Sequence, residues 1–258
     1  MAYDSVSIIG CGNVGSNLAS TLRENDIAIN FVLSKKHKSS QLLASKVDAQ
    51  VAFDIDDIPS NDLVLLCVPD DQVARVINSL PPSQKIAYTS GSVELNEFKK
   101  RDLIGVFYPL QTFTTGKTID LHHVPFFIES MNEEFGDSLF ELANRISDDV
   151  RYSNSEERKK IHLAAVMVNN FTNHILHQAQ AYSEENKIDF RVFLPLLKET
   201  VSKLDSFSAL DAQTGPARRD DQSVINSHLE MLDPNQAAIY RVLSDSIHQL
   251  YKKDEGEL

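Results

Sequence analysis

The feature that most constrains the fold is a glycine-rich hexapeptide, GCGNVG at residues 10–15, near the start of the chain. It follows an uninterrupted β-branched run, Ser5–Ile9, and opens a segment with helical spacing, Asn13–Glu24. A strand, such a turn and a helix in this order predict a dinucleotide-binding Rossmann unit, with an ordinary strand-to-helix turn as the alternative. Here the first glycine permits the tight turn, the second lets a diphosphate approach the backbone, and the third allows close helix packing. The predicted cofactor loop therefore comprises Gly10, Gly12, Asn13, Val14 and Gly15.

Apolar runs alternate with helical segments over the first 150 residues. Runs without polar alternation are typical of strands buried on both faces, as in parallel sheets. The fold class predicted is α/β, with a doubly wound, mainly parallel sheet in the N-terminal domain. Further strands are expected at Ile27–Leu33, Gln50–Phe53, Leu63–Val68, Lys85–Thr89, Leu103–Phe107 and Phe126–Glu129, and further helices at Ser39–Val47, Asp71–Leu80 and Glu94–Arg101.

The pattern becomes all-α near Arg151. Ser153 and Glu156 have the spacing of a capping box, and no glycine or proline follows until after Asn186, which predicts one long helix. Three more helices are expected at residues 190–204, 221–232 and 234–252. The domains predicted are a Rossmann domain at 1–152 and a helical substrate and dimerisation domain at 153–258.

The end of the second strand indicates which cofactor binds. An acidic residue there would bind the ribose 2′-hydroxyl of NAD, but the chain has Ser34, Lys35 and Lys36 instead. These residues suit the 2′-phosphate of NADP, although a solvated lysine run is the alternative. Ligands of open α/β sheets lie beyond the carboxyl ends of strands, so Val68, Pro69 and Ser90 are also expected to border the cofactor.

Charge restricts the partners. Lys and Arg number 25 against 37 Asp and Glu, and the resulting net charge of −12 argues against nucleic acid and anionic membranes. No apolar span and no signal peptide is recognisable, so the protein is expected to be cytoplasmic. No cysteine or histidine spacing suggests a metal site. The local basic residues favour a small, anionic ligand.

Seven blocks of the sequence resemble a known family. In chain order they are IIGCGNVGSNLA, LLCVPDDQV, YTSGSV, FYPLQTF, PFFIE, IHLAAVMVNNFTNH and TGPARRDD. They resemble the Rossmann-like proteins with a C-terminal domain of unknown function, family 2520, which are labelled NADP oxidoreductases. Pyrroline-5-carboxylate reductase and the β-hydroxyacid dehydrogenases are wider relatives. The resemblance implies an NADP-binding Rossmann domain and a helical, dimerising domain, and Tyr88 and Tyr108 stand where the family often has histidine.

The long helix and a later turn supply the candidate catalytic residues. Related β-hydroxyacid dehydrogenases have a lysine four residues before an asparagine; aligning that asparagine on Asn170 puts Val166 at the lysine position. His162 is then the available proton donor, and Asn170 would orient a carbonyl or imine. On a helical wheel both lie on a polar stripe, opposite an apolar set expected in the core: Ala164, Val168, Phe171 and Ile175. A packing role for the histidine and amides is the alternative.

Arg219, in the TGPARRDD turn, would hold a substrate anion, while Asp221 would cap the next helix. The function predicted is hydride transfer between NADP and a small carbonyl or imine substrate in the cleft between the domains. The alternative is a non-catalytic NADP(H)-binding sensor or interaction protein, because the lysine is missing at Val166.

Overall fold

A single sheet organises the N-terminal part of the protein in the computed structural model, which describes residues 3–252. Its eight strands run in the order β3-β2-β1-β4-β5-β6-β7-β8. The strands are β1 Ser5–Ile9, β2 Ala28–Leu33, β3 Gln50–Val51, β4 Leu63–Leu66, β5 Lys85–Tyr88, β6 Ile104–Pro109, β7 Phe126–Ser130 and β8 Val150–Tyr152.

All neighbouring strands are parallel except β6 and β7, which pair antiparallel. The first six strands have the order of the Rossmann fold, whose direction of winding reverses between β1 and β4. Strand β4 is buried along its whole length, as its uninterrupted apolar sequence predicts. The predicted fold class is confirmed, and the crevice at the carboxyl ends of β1 and β4 is the expected ligand position.

Five helices accompany the sheet: α1 Asn13–Glu24, α2 His37–Val47, α3 Asp70–Ser79, α4 Glu133–Asn144 and α5 Ser155–Ala165. The sequence did not lead us to expect α4 or the short strand β8. The helix predicted at Glu94–Arg101 is wrong in type, because only a 3-10 turn forms at Leu95–Phe98. Its two buried side chains, Leu95 and Phe98, lie three residues apart, which matches the 3-10 repeat.

The helix after β8 begins one residue later than predicted and is not uniform. Asn154, not Ser153, caps it, in a capping box with Glu157. Helix α5 continues into a π-helical segment, Val166–Phe171, and then into α6, Thr172–Glu185. Because π-helical hydrogen bonds join residues five apart, a wheel drawn for an α-helix does not hold through this segment.

The remaining helices are α7 Leu194–Ser202, α8 Ala209–Ala212, α9 Gln222–Glu230 and α10 Pro234–Lys252. Pro195 lies in the first turn of α7, where its missing N–H leaves no hydrogen bond unmade. By internal packing the chain forms two compact units, one up to Asn169 and one from Asn170. The predicted division at residues 152 and 153 stays a prediction.

The apolar set expected in the core of the long helix is instead exposed. Val168 is 75% exposed, Phe171 56% and Ile175 41%, and Ala164 is exposed as well. A wheel identifies which side chains share a face, but not whether the same chain covers that face. Within residues 3–252, no helix is long and apolar enough to cross a membrane.

Candidate functional site

The glycine loop has the geometry that the motif predicts. Gly10 adopts a φ of +108°, and a Cβ there would lie 2.1 Å from the Cys67 carbonyl oxygen. A Cβ at Gly15 would lie 1.9 Å from the Gly10 oxygen, so α1 packs directly on the turn. A Cβ at Gly12 would meet nothing within 4 Å. The first and third glycines are therefore required by the fold, whereas Gly12 borders open space.

A cavity of about 830 Å³ opens beside this loop. The start of α1 offers it uncapped N–H groups and no acidic side chain, which favours an anion. Six of the predicted cofactor residues line the cavity: Gly10, Gly12, Ser34, Lys35, Val68 and Pro69.

Sequence reasoning missed a second group of polar residues in the same cavity. The Lys35 ammonium and the Arg75 guanidinium both donate to the Gln72 side-chain oxygen, at 2.5 and 3.2 Å. The rings of His37 and Phe53 stack with centroids 4.9 Å apart. Because α3 starts directly after Pro69, Gln72 and Arg75 fall on one helical face beside the cavity. Their spacing of three residues was the sequence signal that could have identified them.

Five predicted cofactor residues lie outside the cavity lining: Asn13, Val14, Gly15, Lys36 and Ser90. Lys36 is exposed and stands at the N-cap of α2. Val14 and Gly15 belong to the packed part of α1. The Asn13 amide nitrogen donates to the Phe113 carbonyl at 3.0 Å, and its oxygen accepts from the Thr115 hydroxyl at 3.0 Å. These contacts hold the segment after β6 against the start of α1.

The second polar cluster lies at the carboxyl ends of β5 and β6. The Tyr108 hydroxyl and His162 Nδ1 are 3.1 Å apart and share a hydrogen bond. A Cβ at Gly91 would lie 2.8 Å from Tyr108 Cζ and 2.9 Å from His162 Nδ1, so only glycine fits between the Ser90 turn and this pair. Ser90 is buried, and its hydroxyl accepts from the backbone amides of Ser92 and Val93.

Tyr108 is held in its neutral form. Burial raises the pKa of its hydroxyl, the nearby Asp70 carboxylate raises it further, and Arg158 opposes the shift. Asp70 itself accepts a hydrogen bond from the Ser92 hydroxyl. A neutral phenol can donate a hydrogen bond, whereas proton transfer near neutral pH is better suited to the neighbouring imidazole.

A fully buried guanidinium anchors the helix that carries His162. Arg158 is 0% exposed and pairs with the Glu129 carboxylate of β7. It also donates to the Val93 carbonyl and to the Ser155 hydroxyl. Arg158 therefore joins α5, β7 and the turn that carries Ser90.

The other two predicted catalytic residues belong to the second unit. Asn170 is exposed in the π-helical segment, and Arg219 is exposed in the turn before α9. The neighbouring Arg218 donates to the Gln213 carbonyl and stacks 4.8 Å from the Tyr251 ring centroid. Asp221 caps α9 through the Val224 amide, as predicted. The catalytic roles stay predictions.

The expectation of no metal also stays a prediction. Among the described residues, His122 and His123 lie beside Asp148, with His123 Nδ1 3.0 Å from the carboxylate. All three side chains are exposed. Cys11 and Cys67 form no disulfide, and burial raises the pKa of the Cys67 thiol to about 12.

The fold and the glycine loop define a Rossmann-type dinucleotide-binding protein. A family model described as NADP oxidoreductase, coenzyme F420-dependent, matches residues 5–88. A second, described as a domain of unknown function (DUF2520), matches residues 124–247.

Solved structures agree over nearly the whole chain. A Bacteroides fragilis protein, provisionally named an NADP oxidoreductase, is 35% identical with a TM-score of 0.90, over 96% of this chain and 98% of that chain. A Thermotoga maritima protein is 19% identical with a TM-score of 0.70, over 97% and 99% of the two chains. A reductive aminase from Aspergillus terreus, in complex with NADPH and ethyl-5-oxohexanoate, is 12% identical with a TM-score of 0.72, over 95% and 93%. The last two share the fold.

The match to curated proteins is shorter. The ketol-acid reductoisomerase (NADP(+)) of Buchnera aphidicola is 32% identical over 108 residues, which span 38% of this chain and only 22% of that protein. With the near full-length Bacteroides structure, these matches place this chain in the family of NADP oxidoreductases that combine a Rossmann domain with a DUF2520 domain. The predicted resemblance and the predicted cofactor class, NADP, are confirmed at the level of the family.

Proposed function

We propose that this protein is an NADP-dependent oxidoreductase that transfers a hydride between the nicotinamide and a small carbonyl or imine substrate. The observation that carries the proposal is a continuous row of polar groups along the carboxyl edge of the sheet. Pro69 lines the cofactor cavity, and the next residue, Asp70, accepts a hydrogen bond from Ser92. Ser92 belongs to the turn that touches Tyr108 and His162. A proton-donating pair thus lies beside the proposed cofactor site.

The residues that line the cavity fit NADP(H). Gly12 leaves room for a diphosphate at the N-terminus of α1. Ser34, Lys35 and Arg75 offer a hydroxyl and two cations for a 2′-phosphate, and no carboxylate directly follows β2 to repel that phosphate, although Asp54 lines another part of the cavity. NADPH supplies the hydride when bound, whereas the protein supplies position and a proton.

Reduction of a carbonyl or imine carbon requires a proton at the oxygen or nitrogen. The Tyr108 hydroxyl stays protonated because its pKa is raised, so it can donate a hydrogen bond to that atom. His162, at 3.1 Å, is the group from which the pair takes up its proton. Asn170 and Arg219 would orient the substrate and bind an anionic group on it.

Turnover and binding test the proposal separately. NADPH oxidation is measured over a panel of imines, 2-oxo acids and semialdehydes, with cofactor affinity measured by titration. We expect Tyr108→Phe and His162→Ala to lower kcat by about 100-fold or more and to leave the Kd for NADPH unchanged. His174→Ala, on the exposed surface of α6, is the matched control and should retain full activity. Full turnover in both variants of the pair would remove the proton-donor role.

A non-catalytic sensor is the competing function, because Val166 stands where related dehydrogenases have lysine. Tight NADPH binding without turnover on any substrate of the panel would favour the sensor. If the protein bound neither NADPH nor NADH, both proposed functions would be refuted.

A further inference from the structure

Two histidines and an aspartate converge on the surface of the first unit, away from the cofactor loop. His122 and His123 precede β7 in the chain, and Asp148 precedes β8. Asp148 Oδ2 lies 3.0 Å from His123 Nδ1 and 3.9 Å from His122 Nε2, and the three ligand atoms all lie within 4.8 Å of one another. Within residues 3–252 this is the one group of three or more histidine, cysteine or acidic side chains close enough to share a metal ion. None of the three lines the cofactor cavity, so the cluster is separate from the proposed catalysis.

The backbone beneath these side chains is fixed. The Asp148 amide donates a hydrogen bond to the His122 carbonyl at 2.8 Å, which joins the two segments directly. One residue earlier, the buried Ser147 hydroxyl donates to the Val124 carbonyl at 2.7 Å. Leu121 and Val124, on either side of the two histidines, are themselves buried. The three side chains therefore project from a platform that is already ordered, and an ion that binds them loses less affinity to ordering the chain.

The donor atoms suit a transition metal. Two imidazoles and one carboxylate are a known ligand set for zinc, with water in the fourth, tetrahedral position. Bonds of about 2.0–2.1 Å place neighbouring ligand atoms roughly 3.3–3.4 Å apart. The separations of 3.0 and 3.9 Å lie on either side of this value, so small rotations of exposed side chains complete the geometry. Magnesium and calcium prefer oxygen ligands, and two imidazole nitrogens disfavour both ions.

A plain ion pair accounts for less of the cluster. The contact between His123 and Asp148 could be a surface salt bridge, but such exposed pairs contribute little to stability. It also leaves the His122 ring unexplained, whose centroid lies 4.7 Å from that of His123. Two neighbouring imidazolium cations would repel each other, whereas a single divalent ion accepts an electron pair from each neutral ring.

We propose that His122, His123 and Asp148 form a binding site for a zinc-like divalent transition metal ion, with water as the fourth ligand. The bound ion would join the segment before β7 to the segment before β8. The proposal departs from the expectation of no metal, which rested on spacing along the chain. Asp148 is 25 positions from His123, so only the fold brings the ligands together.

The first test is the affinity for zinc and its dependence on the ligands. The full chain, freed of metal by a chelator, is titrated with ZnCl₂ in a calorimeter. We expect one site per chain with a Kd below ~10 µM, and no binding of Mg²⁺ at the same concentrations. Asp148→Asn and His123→Gln should each raise the Kd at least ~10-fold, because loss even of a group that only orients a ligand costs about 10- to 100-fold. Circular dichroism checks the fold of both variants.

The second test separates this site from other surface histidines. His174 and His177 form another exposed pair, on α6, with ring centroids 6.3 Å apart. Replacing both by alanine is the matched control and should leave the Kd for zinc unchanged. Co²⁺ should give the strong visible absorption of a four-coordinate ion in the unchanged chain and in this control, but not in Asp148→Asn.

Thermal unfolding supplies an independent readout. Zinc at about 100 times its Kd should raise the unfolding midpoint of the unchanged chain by about 5 °C, with a much smaller rise in Asp148→Asn. Failure of the unchanged chain to bind zinc, an unaltered Kd in both ligand variants, or loss of zinc binding in the α6 control would each overturn the proposal.

Discussion

Two glycines of the loop should respond in opposite ways to the same added methyl group. At Gly12 the backbone has φ −81° and ψ −165°, which alanine adopts without strain, and the added Cβ meets nothing within 4 Å. Alanine is a poorer N-cap than glycine but lowers the entropy of the unfolded chain, so the net change in unfolding free energy should stay within about 1 kcal/mol. The methyl group occupies the path of the diphosphate, and we expect the Kd for NADPH to rise at least ~10-fold, or about 1.4 kcal/mol.

Gly10→Ala should instead damage the fold. Its Cβ would lie 2.1 Å from a backbone oxygen, and its φ of +108° is strained for any L side chain. Backbone strain of about 1–3 kcal/mol and the forced separation of β1 from β4 should together cost at least ~4 kcal/mol. Urea unfolding gives the free energies, and NADPH fluorescence titration gives the affinities. If Gly12→Ala left both the unfolding free energy and the Kd for NADPH unchanged, the assignment of the cavity to the cofactor would be refuted.

Three further perturbations test other parts of the site. Replacing Lys35 and Arg75 together by alanine should weaken NADPH binding about 10- to 100-fold and leave NADH binding unchanged. Lys100→Ala is the control, and an equal loss for NADH would contradict recognition of a 2′-phosphate. Arg158→Met should lower the unfolding free energy by about 3–5 kcal/mol in urea, because it leaves a carboxylate in the interior without its partner. Burial raises the pKa of Tyr88 above its usual value near 10, so the unfolded chain releases this proton first as pH rises. The unfolding free energy should therefore fall as pH rises above 10, and it should fall less steeply in Tyr88→Phe. Equal slopes of unfolding free energy against pH in the two proteins would argue against a contribution from the buried phenol.

The sequence predicted the parts of the fold that local patterns determine. Strands β1 and β4, the glycine turn and α1 follow from apolar runs and the required φ at Gly10, and these were predicted closely. The NADP assignment rested on Ser34, Lys35 and Lys36 and on the absence of an acid after β2, and the family confirms the cofactor class.

Contacts between distant segments were beyond the sequence. The pairing of Tyr108 with His162 joins residues 54 positions apart, and nothing in the local pattern of either residue indicates the other. Arg75 lines the cavity from α3, most of whose side chains lie on the surface. Its place beside the cavity therefore depends on the order of the strands in the sheet. The π-helical segment has no clear signature, since Val166–Phe171 reads as ordinary helix. Exposure of Phe171 and Ile175 depends on what covers them, which one chain's periodicity does not specify.

The buried guanidinium of Arg158 restricts how this site can change over generations. It contacts a strand, a turn and its own helix at once, and its charge is balanced by Glu129. Lysine would offer a single compact charge in place of a planar fork, so the nearest chemical substitute cannot reproduce these contacts. Loss of either partner alone costs a large fraction of the unfolding free energy of a domain, which is ~5–15 kcal/mol, whereas replacement of both charged residues by an apolar pair is often tolerated. Any lineage that abandons the pair must therefore change both positions almost together, and the two residues should be inherited as a unit.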